Sequence, residues 1–432
     1  MSYIVGHPIK HPADFYGRHE QTTRFFEIIG GRQAQSVSVL GVRRAGKTSF
    51  LQYVAHPATM SHYLPNADAY TMIYVDLSSC KTPSDFYYRL LQRLKVNLGR
   101  AKTDFLWKES PRGQTKLYDV EAYLCQFPDT RIVLLLDEFD HLRTEAFTHD
   151  FLTELRAMTG VLEYDLACVT ASYWDLYTLG TRLGLPPTSP FYNIFYPTPI
   201  YMSSLELTEA TSLIDTPAAK GGVTFTEDEV REIQVLAGSL PFFVQATAAK
   251  WFRHKRAGKA PDSEAARQQL AADLAPYFDQ WWHNFTQNER SILLAVAGER
   301  PLTDLDFPPL EVEGIVRRLH SYGLLFQADE RFFINGRVFH TWLRQYAQLQ
   351  AVIPAVNKPV SGAELARIRH ALVDSFDLDE LRTLCFDLGM DFESLPGQSK
   401  PAKAREMVNY WRNRHNLTQL TQAIRTERGD II

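Results

Sequence analysis

Five short apolar runs punctuate the first half of the chain: SVSVL (36–40), TMIYVDL (71–77), RIVLLLD (131–137), LACVTAS (166–172) and PIYM (199–202). None alternates apolar with polar residues, which is how strands buried on both faces read. Helix-length segments separate them, so the pattern predicts an α/β domain with a parallel sheet. Near Leu205 the pattern changes. From LELTEATSLIDTPAAKG through DSEAARQQLAADLAPYFDQWW, apolar residues recur at three and four spacing, the mark of helices. TEDEVREIQVLAG opens on Thr226 as an N-cap. Glu227, Asp228 and Glu229 suit the positive end of that helix, and Gly238 suits its stop.

Residues 284–350 predict three short helices, TQNERSILLAVAG, TDLDF onward and EVEGIVRRLHSYG. A β-hairpin follows, LLFQADERFFI, with ADE at its turn; this is the pattern of a winged helix. LQAVIPAVNKPVSG (349–362) carries prolines and small breakers and reads as a linker. Beyond it, AELARIRHALVDSF, DLDELRTLCFDLG, KPAKAREMVNYWRNR and NLTQLTQAIRTER predict a small helical bundle. The expected organisation is an α/β core over 1–204, an all-α lid over 205–280 and a winged-helix domain over 281–348. A linker over 349–361 and a helical domain over 362–432 complete it.

Composition narrows the function classes. A chain of 432 residues accommodates two to four domains, and 45% hydrophobic residues supply a core for each. The net charge of -4 provides no global basic field for nucleic acid or an anionic membrane. The first residues lack a signal-peptide core, and no apolar run reaches transmembrane length. Cys80, Cys125, Cys168 and Cys385 are scattered without metal-ligand or redox spacing. They read as free thiols in a reducing cytoplasm, with Cys125 and Cys168 in apolar contexts expected in the core. No repeat of solenoid period is present, and no nucleophile–base triad or metal cluster is legible.

The chemistry concentrates in VSVLGVRRAGKTSF (37–50). Gly41, Gly46, Lys47 and Thr48 fit the spacing G-x-x-x-x-G-K-[ST], between a predicted strand and a predicted helix. Backbone N–H groups from Arg44, Ala45, Gly46 and onward to Ser49 would curl around phosphate oxygens, with the helix adding its positive end. Lys47 would reach the β- and γ-phosphates, and the Thr48 hydroxyl would ligate Mg²⁺. The strand RIVLLLD ends in Asp137 and Glu138. An acid there holds Mg²⁺ through water, and Glu138 is placed to polarise an attacking water. Asp140 reads as a solvated turn acid or a cap. Arg43 and Arg44 sit where a triphosphate needs neutralising or a neighbouring subunit meets the loop, with simple exposure the rival.

With both nucleotide motifs present, residues ~13–346 resemble the STAND class of AAA+-like signalling ATPases. FYGRHEQ, with Tyr16, Gly17 and Arg18, resembles the segment that precedes the loop and packs on adenine. GVRRAGKTSFL resembles the arginine-rich form of the loop. YVDLSSCKTPSDFYYRLL resembles the second strand and its helix. SPFYNIF and LAGSLPFFVQ resemble two further segments, the latter placing Gly238 and Pro241 over the base or ribose. The resemblance implies ATP or ADP with Mg²⁺, and slow hydrolysis that times a switch. At the end of the fourth strand Ser172 or Thr170 takes the phosphate-sensor position. His340, in RVFHTWLRQY, falls near the place of a β-phosphate-sensing histidine, although the flanking letters depart from the family form. Arg156 is either a trans-acting arginine finger or a helix-surface cation.

LRTLCFDLGMDFESLPG and KAREMVNYWRNRHNLTQLTQAI resemble the type-one effector-associated domain of bacterial conflict systems, which joins matching copies on different proteins. Between Asp374 and Glu393 lie seven acids and one arginine; between Lys400 and Arg428 lie seven bases and two acids. An acidic half and a basic half favour head-to-tail docking, against the plainer reading of two solvated faces. The expectation is a nucleotide-controlled switch that oligomerises and recruits an effector protein through its tail, in bacterial defence or programmed-death signalling. The alternative is a DNA-binding AAA+ ATPase of the origin-recognition or loader kind. Against it, residues 284–346 hold no lysine, seven arginines and eight acids, and Glu311 and Glu313 open the candidate recognition helix. Glu138 argues against an inert scaffold, which has no use for a water-activating carboxylate.

Overall fold

The computed structural model describes residues 3–33, 35–98, 111–143, 146–260, 264–352, 362–388, 390, 392, 395–397, 399–413 and 417–429. They form two compact units, Met1–Arg344 and Gln345–Ile432.

In the first unit each of the five apolar runs is a strand: β1 (Val37–Leu40), β2 (Tyr70–Asp76), β3 (Arg131–Asp137), β4 (Asp165–Ser172) and β5 (Ile200–Tyr201). All pair in parallel, in the order β2-β3-β4-β1-β5. Parallel neighbours need crossovers, and α1 (His19–Ile29), α2 (Lys47–Val54), α3 (Pro57–Tyr63), α4 (Pro83–Leu98), α5 (Leu117–Leu124), α6 (His149–Thr159) and α7 (Leu176–Arg182) lie between the strands or ahead of β1. The helices bury one stripe each. Phe86, Leu90, Leu91 and Leu94 of α4, at three and four spacing, join Phe151 of α6 and Ile132, Leu134 and Leu136 of β3 in one core. Cys168 lies in that core, as its context suggests. Cys125 does not: it caps the C-terminus of α5 and is exposed, because the helix turns its apolar stripe of Val120 and Leu124 away from it.

After β5 the unit is helical: α8 (Leu207–Lys220), α9 (Glu227–Ala237), α10 (Pro241–Arg256) and α11 (Glu264–Asn284). Thr226 and Glu229 form the reciprocal cap that their spacing implies, and Gly238 ends α9 with φ +69. α11 continues through the boundary expected at 280. Then come α12 (Gln287–Ala297), α13 (Pro309–Ser321), the antiparallel pair β6 (Leu325–Ala328) and β7 (Arg331–Ile334), and α14 (Arg337–Val352). Of the three helices expected before the hairpin, the middle one is a single 3₁₀ turn, Leu302–Asp304, at the start of the TDLDF stretch. The linker expected from 349 begins inside α14; its residues 353–361, and residues 261–263 of the expected lid, lie outside those described.

The second unit packs α15 (Gly362–Ser375), α16 (Leu378–Asp387), α17 (Lys400–Asn413) and α18 (Leu417–Arg428) around Leu372, Leu381, Met407, Leu420 and Ile424. Lys403 is buried and donates to the carbonyls of Phe392 at 2.8 Å and Leu395 at 2.7 Å, fixing the chain ahead of α17. Glu380 of α16 pairs with Arg428 of α18, and the Arg428 guanidinium also covers Phe376 at 4.7 Å. One acid of the acidic stretch and one base of the basic stretch are thus paired within the domain. Asp391, Glu393 and Arg414 lie outside the described residues. Among the described residues no helix is long and apolar enough to cross a membrane.

The α/β part and the α12–α13 part of the first unit meet at a buried acid. Glu289, fully buried, caps α12 through the Thr286 N–H at 2.7 Å, receives Arg318 of α13 at 3.0 Å and accepts the Tyr173 hydroxyl at 3.2 Å. Tyr322 Oη donates to the Tyr173 carbonyl at 2.5 Å. Removing one partner of such a group strands the other charge in low dielectric. Glu289→Ala is expected to destabilise the first unit by about 3–5 kcal/mol in urea unfolding. Glu289→Gln, which still accepts from Thr286, is expected to lose less.

Candidate functional site

The loop between β1 and α2 starts where the sheet runs out. Gly41 N donates to Ser172 O at 3.2 Å, extending the β1–β4 ladder by one rung before the chain leaves it. A Cβ on Gly41 would stand 3.0 Å from Met202 Cβ and 3.2 Å from Ala45 Cβ, so a side chain there would have to push its neighbours aside. Arg44 (φ +72) and Gly46 (φ +96) both adopt left-handed backbone, which curls the loop around its own N–H groups. α2 then begins at Lys47 with no side-chain cap, so its first N–H groups face a ligand position rather than a protein acceptor.

A cavity of about 240 Å³ opens over this loop. Of the expected residues, Arg44, Ala45, Gly46, Lys47, Thr48, Ser49, Tyr16, Arg18, Pro241 and Glu138 line it. Four separated stretches of chain therefore converge: the segment ahead of α1, the loop, the turn after β3 and the start of α10. Six non-glycine residues among those described adopt positive φ, and three of them, Arg18, Arg44 and Glu138, line this cavity. Each such residue stores about 1–3 kcal/mol of strain, which the surrounding packing must hold in place.

Lys47 Nζ donates to the carbonyls of Gly41 at 2.8 Å and Val42 at 3.2 Å, lying back across its own loop. Burial pushes its ammonium below the ordinary 10.5, while Asp140, Glu138 and Asp137 oppose that. Burial pushes the Glu138 carboxyl above its ordinary 4.5, against the pull of Lys47. A carboxyl with a raised pKa beside a buried lysine, in a cavity, is the electrostatic signature of a functional acid or base. Thr48 also lines the cavity, and its hydroxyl makes no hydrogen bond among the described residues.

Asp137 is buried one step behind the cavity wall. Its Oδ1 accepts the Glu138 N–H at 2.9 Å and its Oδ2 accepts the Tyr74 hydroxyl at 2.9 Å. Each oxygen keeps a lone pair, and with Thr48 the pair makes a hard, oxygen-only donor set that suits Mg²⁺. Asp140 is a cap rather than a solvated acid: it accepts the N–H groups of Tyr173 at 2.5 Å and Trp174 at 3.1 Å.

The two loop arginines part company. Arg43 is exposed at the cavity and its carbonyl accepts Trp281 Nε1 at 2.9 Å. Arg44 is held at the cavity wall, donating to Gly6 O at 3.2 Å with its guanidinium 5.0 Å over Phe242 and 5.3 Å over Tyr277. Arg18 is almost wholly buried behind the loop, reaching the carbonyls of Ala45 and Ser204, both at 3.4 Å. Burial pushes its guanidinium down to about 10.

Other expected residues are not brought to the cavity. Gly17 sits against Glu209, and Gly238 against Asn335. Ser172 donates to the Trp174 carbonyl at 2.7 Å and Thr170 to Ser38 Oγ at 3.3 Å, both inside the sheet. His340 is held by Ala297 O at 3.0 Å, so α12 takes the ring that was expected at the phosphates. Arg156 is exposed near the end of α6. Sequence reasoning missed the apolar wall, Ile9, Met202, Leu213 and Phe242, and the Ile9 N–H that donates to Ser49 Oγ at 3.2 Å. No local motif marks those positions, because they come from four different segments.

Residues 31–168 match the family described as AAA domain, and residues 368–429 match effector-associated domain 7. The C-terminal match is to type seven rather than the type one that its short helical words suggested; amphipathic words of that length do not discriminate one small bundle from another. A Walker-type ATPase of Pyrococcus abyssi shares the fold, with 15% identity over 80% of this chain and 100% of that one and a TM-score of 0.55. The Aeropyrum pernix ORC1 protein, solved in complex with DNA, aligns at 13% identity over 79% of this chain and 95% of its own, with a TM-score of 0.43. The RuvB branch-migration motor of Thermotoga maritima aligns at 13% over 79% and 97%, with a TM-score of 0.39. No curated protein matches the chain in sequence. The chain carries an AAA-type P-loop ATPase domain followed by an effector-associated domain.

Two outcomes follow from this geometry. Gly41→Ala is expected to lose about 1–3 kcal/mol of stability in thermal unfolding through the clash with Met202 and Ala45. A carboxyl whose folded pKa exceeds 4.5 takes up a proton on folding, so it costs stability as pH rises through that window. In metal-free buffer Glu138→Gln is expected to melt above the parent protein at about pH 8 and level with it at about pH 4.

Proposed function

We propose that this protein is an ATP/ADP-controlled switch, in which slow Mg²⁺-dependent hydrolysis times the exposure of a C-terminal recruiting domain. The observation that carries the reading is the convergence of Lys47, the uncapped start of α2 and Glu138 with its raised pKa on one cavity, closed by Pro241 from α10. Lys47 and the N–H groups of the loop bind the β- and γ-phosphates. Thr48 and Asp137 hold Mg²⁺, which supplies charge neutralisation when bound. Glu138 orients a water and accepts its proton; a carboxylate basic enough to do so is what burial produces. Tyr16 and Pro241 flank the position of the base.

Residues 205–280 act as a lid and residues 281–348 as a winged-helix domain. Pro241 Cγ stands 4.0 Å from where a Cβ of Gly46 would be, so a nucleotide on the loop meets the lid directly. A chain of hydrogen bonds offers a second route outward. Asp140, two residues past Glu138, holds Tyr173 and Trp174, and Tyr173 is bonded to Glu289 and Tyr322. A shift in the turn after β3 is thereby passed to α12 and α13. ADP holds the closed form; exchange for ATP permits self-association, and residues 368–429 then recruit an effector protein bearing a matching domain. A role in bacterial defence or programmed-death signalling suits that arrangement.

Lys47→Ala is expected to weaken ADP and ATP binding at least a hundredfold in calorimetry. Glu138→Gln should keep that binding and slow multiple turnover by about 10²–10⁴-fold. Light-scattering mass should rise with a non-hydrolysable ATP analogue and not with ADP. A parent protein that binds neither nucleotide overturns the reading.

A further inference from the structure

A second concave site lies at the opposite edge of the sheet. β2 is the edge strand, and where its C-terminal end meets α4 a cavity of about 320 Å³ opens. Its polar lining includes Tyr74, Asp76, Arg89, Gln92, Arg93 and Arg112. α4 sets Arg89 and Arg93 four residues apart, on one face, where like charges repel. The nearby carboxylates are already engaged. Asp85 accepts Arg112 Nε at 3.1 Å and the Lys81 N–H at 3.2 Å, and Asp76 Oδ1 accepts the Ser78 N–H at 2.9 Å. Among the described residues no carboxylate lies within ion-pair distance of Arg89 or Arg93. Three guanidinium groups converge on a hollow holding one lining carboxylate, Asp76, with two phenol rings and an amide beside them.

Solvated arginines on a helix face are ordinary. A concave pocket that gathers three guanidinium groups, of which only that of Arg112 is ion-paired among the described residues, is not, and guanidinium forks match phosphate oxygens two at a time. The hollow also touches the first site. Tyr74 lines it, and the same residue donates its hydroxyl to Asp137 Oδ2 at 2.9 Å. The β2–β3 register sets Asp76 beside Asp137. Anything that draws Tyr74 toward the hollow frees an oxygen of Asp137.

We propose that this cavity is a regulatory site for a small phosphorylated molecule, bound by Arg89, Arg93 and Arg112 and linked to the nucleotide site through the Tyr74–Asp137 hydrogen bond. The binding half stands on the cavity alone; the link rests on the function proposed above for Asp137.

Inorganic pyrophosphate is the probe, titrated calorimetrically into the full chain saturated with ADP so that the phosphate loop is filled. One binding event is expected, weakening steeply with salt. The double variant Arg89→Ala/Arg93→Ala should weaken it at least tenfold while keeping ADP affinity and melting temperature; Arg93→Gln alone, at an exposed position, should weaken it by a smaller factor. Lys47→Ala, titrated without ADP, should bind pyrophosphate as the parent does, which tests the second site even if the nucleotide reading fails. No binding by the parent, undiminished binding by the double variant, or loss of binding in Lys47→Ala overturns the site. For the link, pyrophosphate should change the affinity for ADP with Mg²⁺ at least threefold in the parent and leave it unchanged in Tyr74→Phe. An equal change in both overturns the link and leaves the site standing.

Discussion

The hydrogen bond from Gly41 N to Ser172 O is the point on which the rest of the site depends. It ends the β1–β4 ladder at a fixed residue, with β1 buried between β4 and β5. A loop anchored this way at one end and by a helix at the other can keep left-handed residues in place. The strain at Arg44 and Glu138 persists only because the sheet beneath them does not move. Met202, just after β5, closes the underside of Gly41, so even the edge strand of two residues has a part in shaping the loop.

Electrostatics then works on a rigid frame. Lys47 lies among three acids, and burial acts on it and on Glu138 in opposite senses, each toward the neutral form. The loop's second arginine is fixed at the cavity wall, because two aromatic rings of the helical region hold its guanidinium. That contact also ties the phosphate loop to α10 and α11. Binding at the loop and the placement of the helical region are therefore one mechanical problem, not two.

The buried acid Glu289 carries the other half of that coupling. It receives Arg318 from α13 and Tyr173 from the chain after β4, and Tyr173 is itself held by Asp140. Each contact joins elements distant in sequence, with low local dielectric strengthening all of them. Such networks have few alternative arrangements, which suits an element that passes a change of state rather than absorbing it.

Read alone, the chain of residues determined the five parallel strands, the phosphate loop, the acids after β3, the cap at Thr226 and the hairpin after α13. These are local: hydrophobic period, turn chemistry and a loop whose working groups are contiguous need no knowledge of the fold. It also disclosed a nucleotide domain and an effector-associated domain, though not the type of the latter. Tertiary structure alone decided which partner each polar group takes. It gave His340 to Ala297, Ser172 to Trp174, Asp140 to Tyr173 and Arg44 to a pair of rings, exposed Cys125, paired Glu380 with Arg428 and gathered three arginines around a second hollow. A polar side chain satisfies itself with whatever the packing brings within about 3 Å, and that neighbour lies too far along the chain for any local pattern to name it.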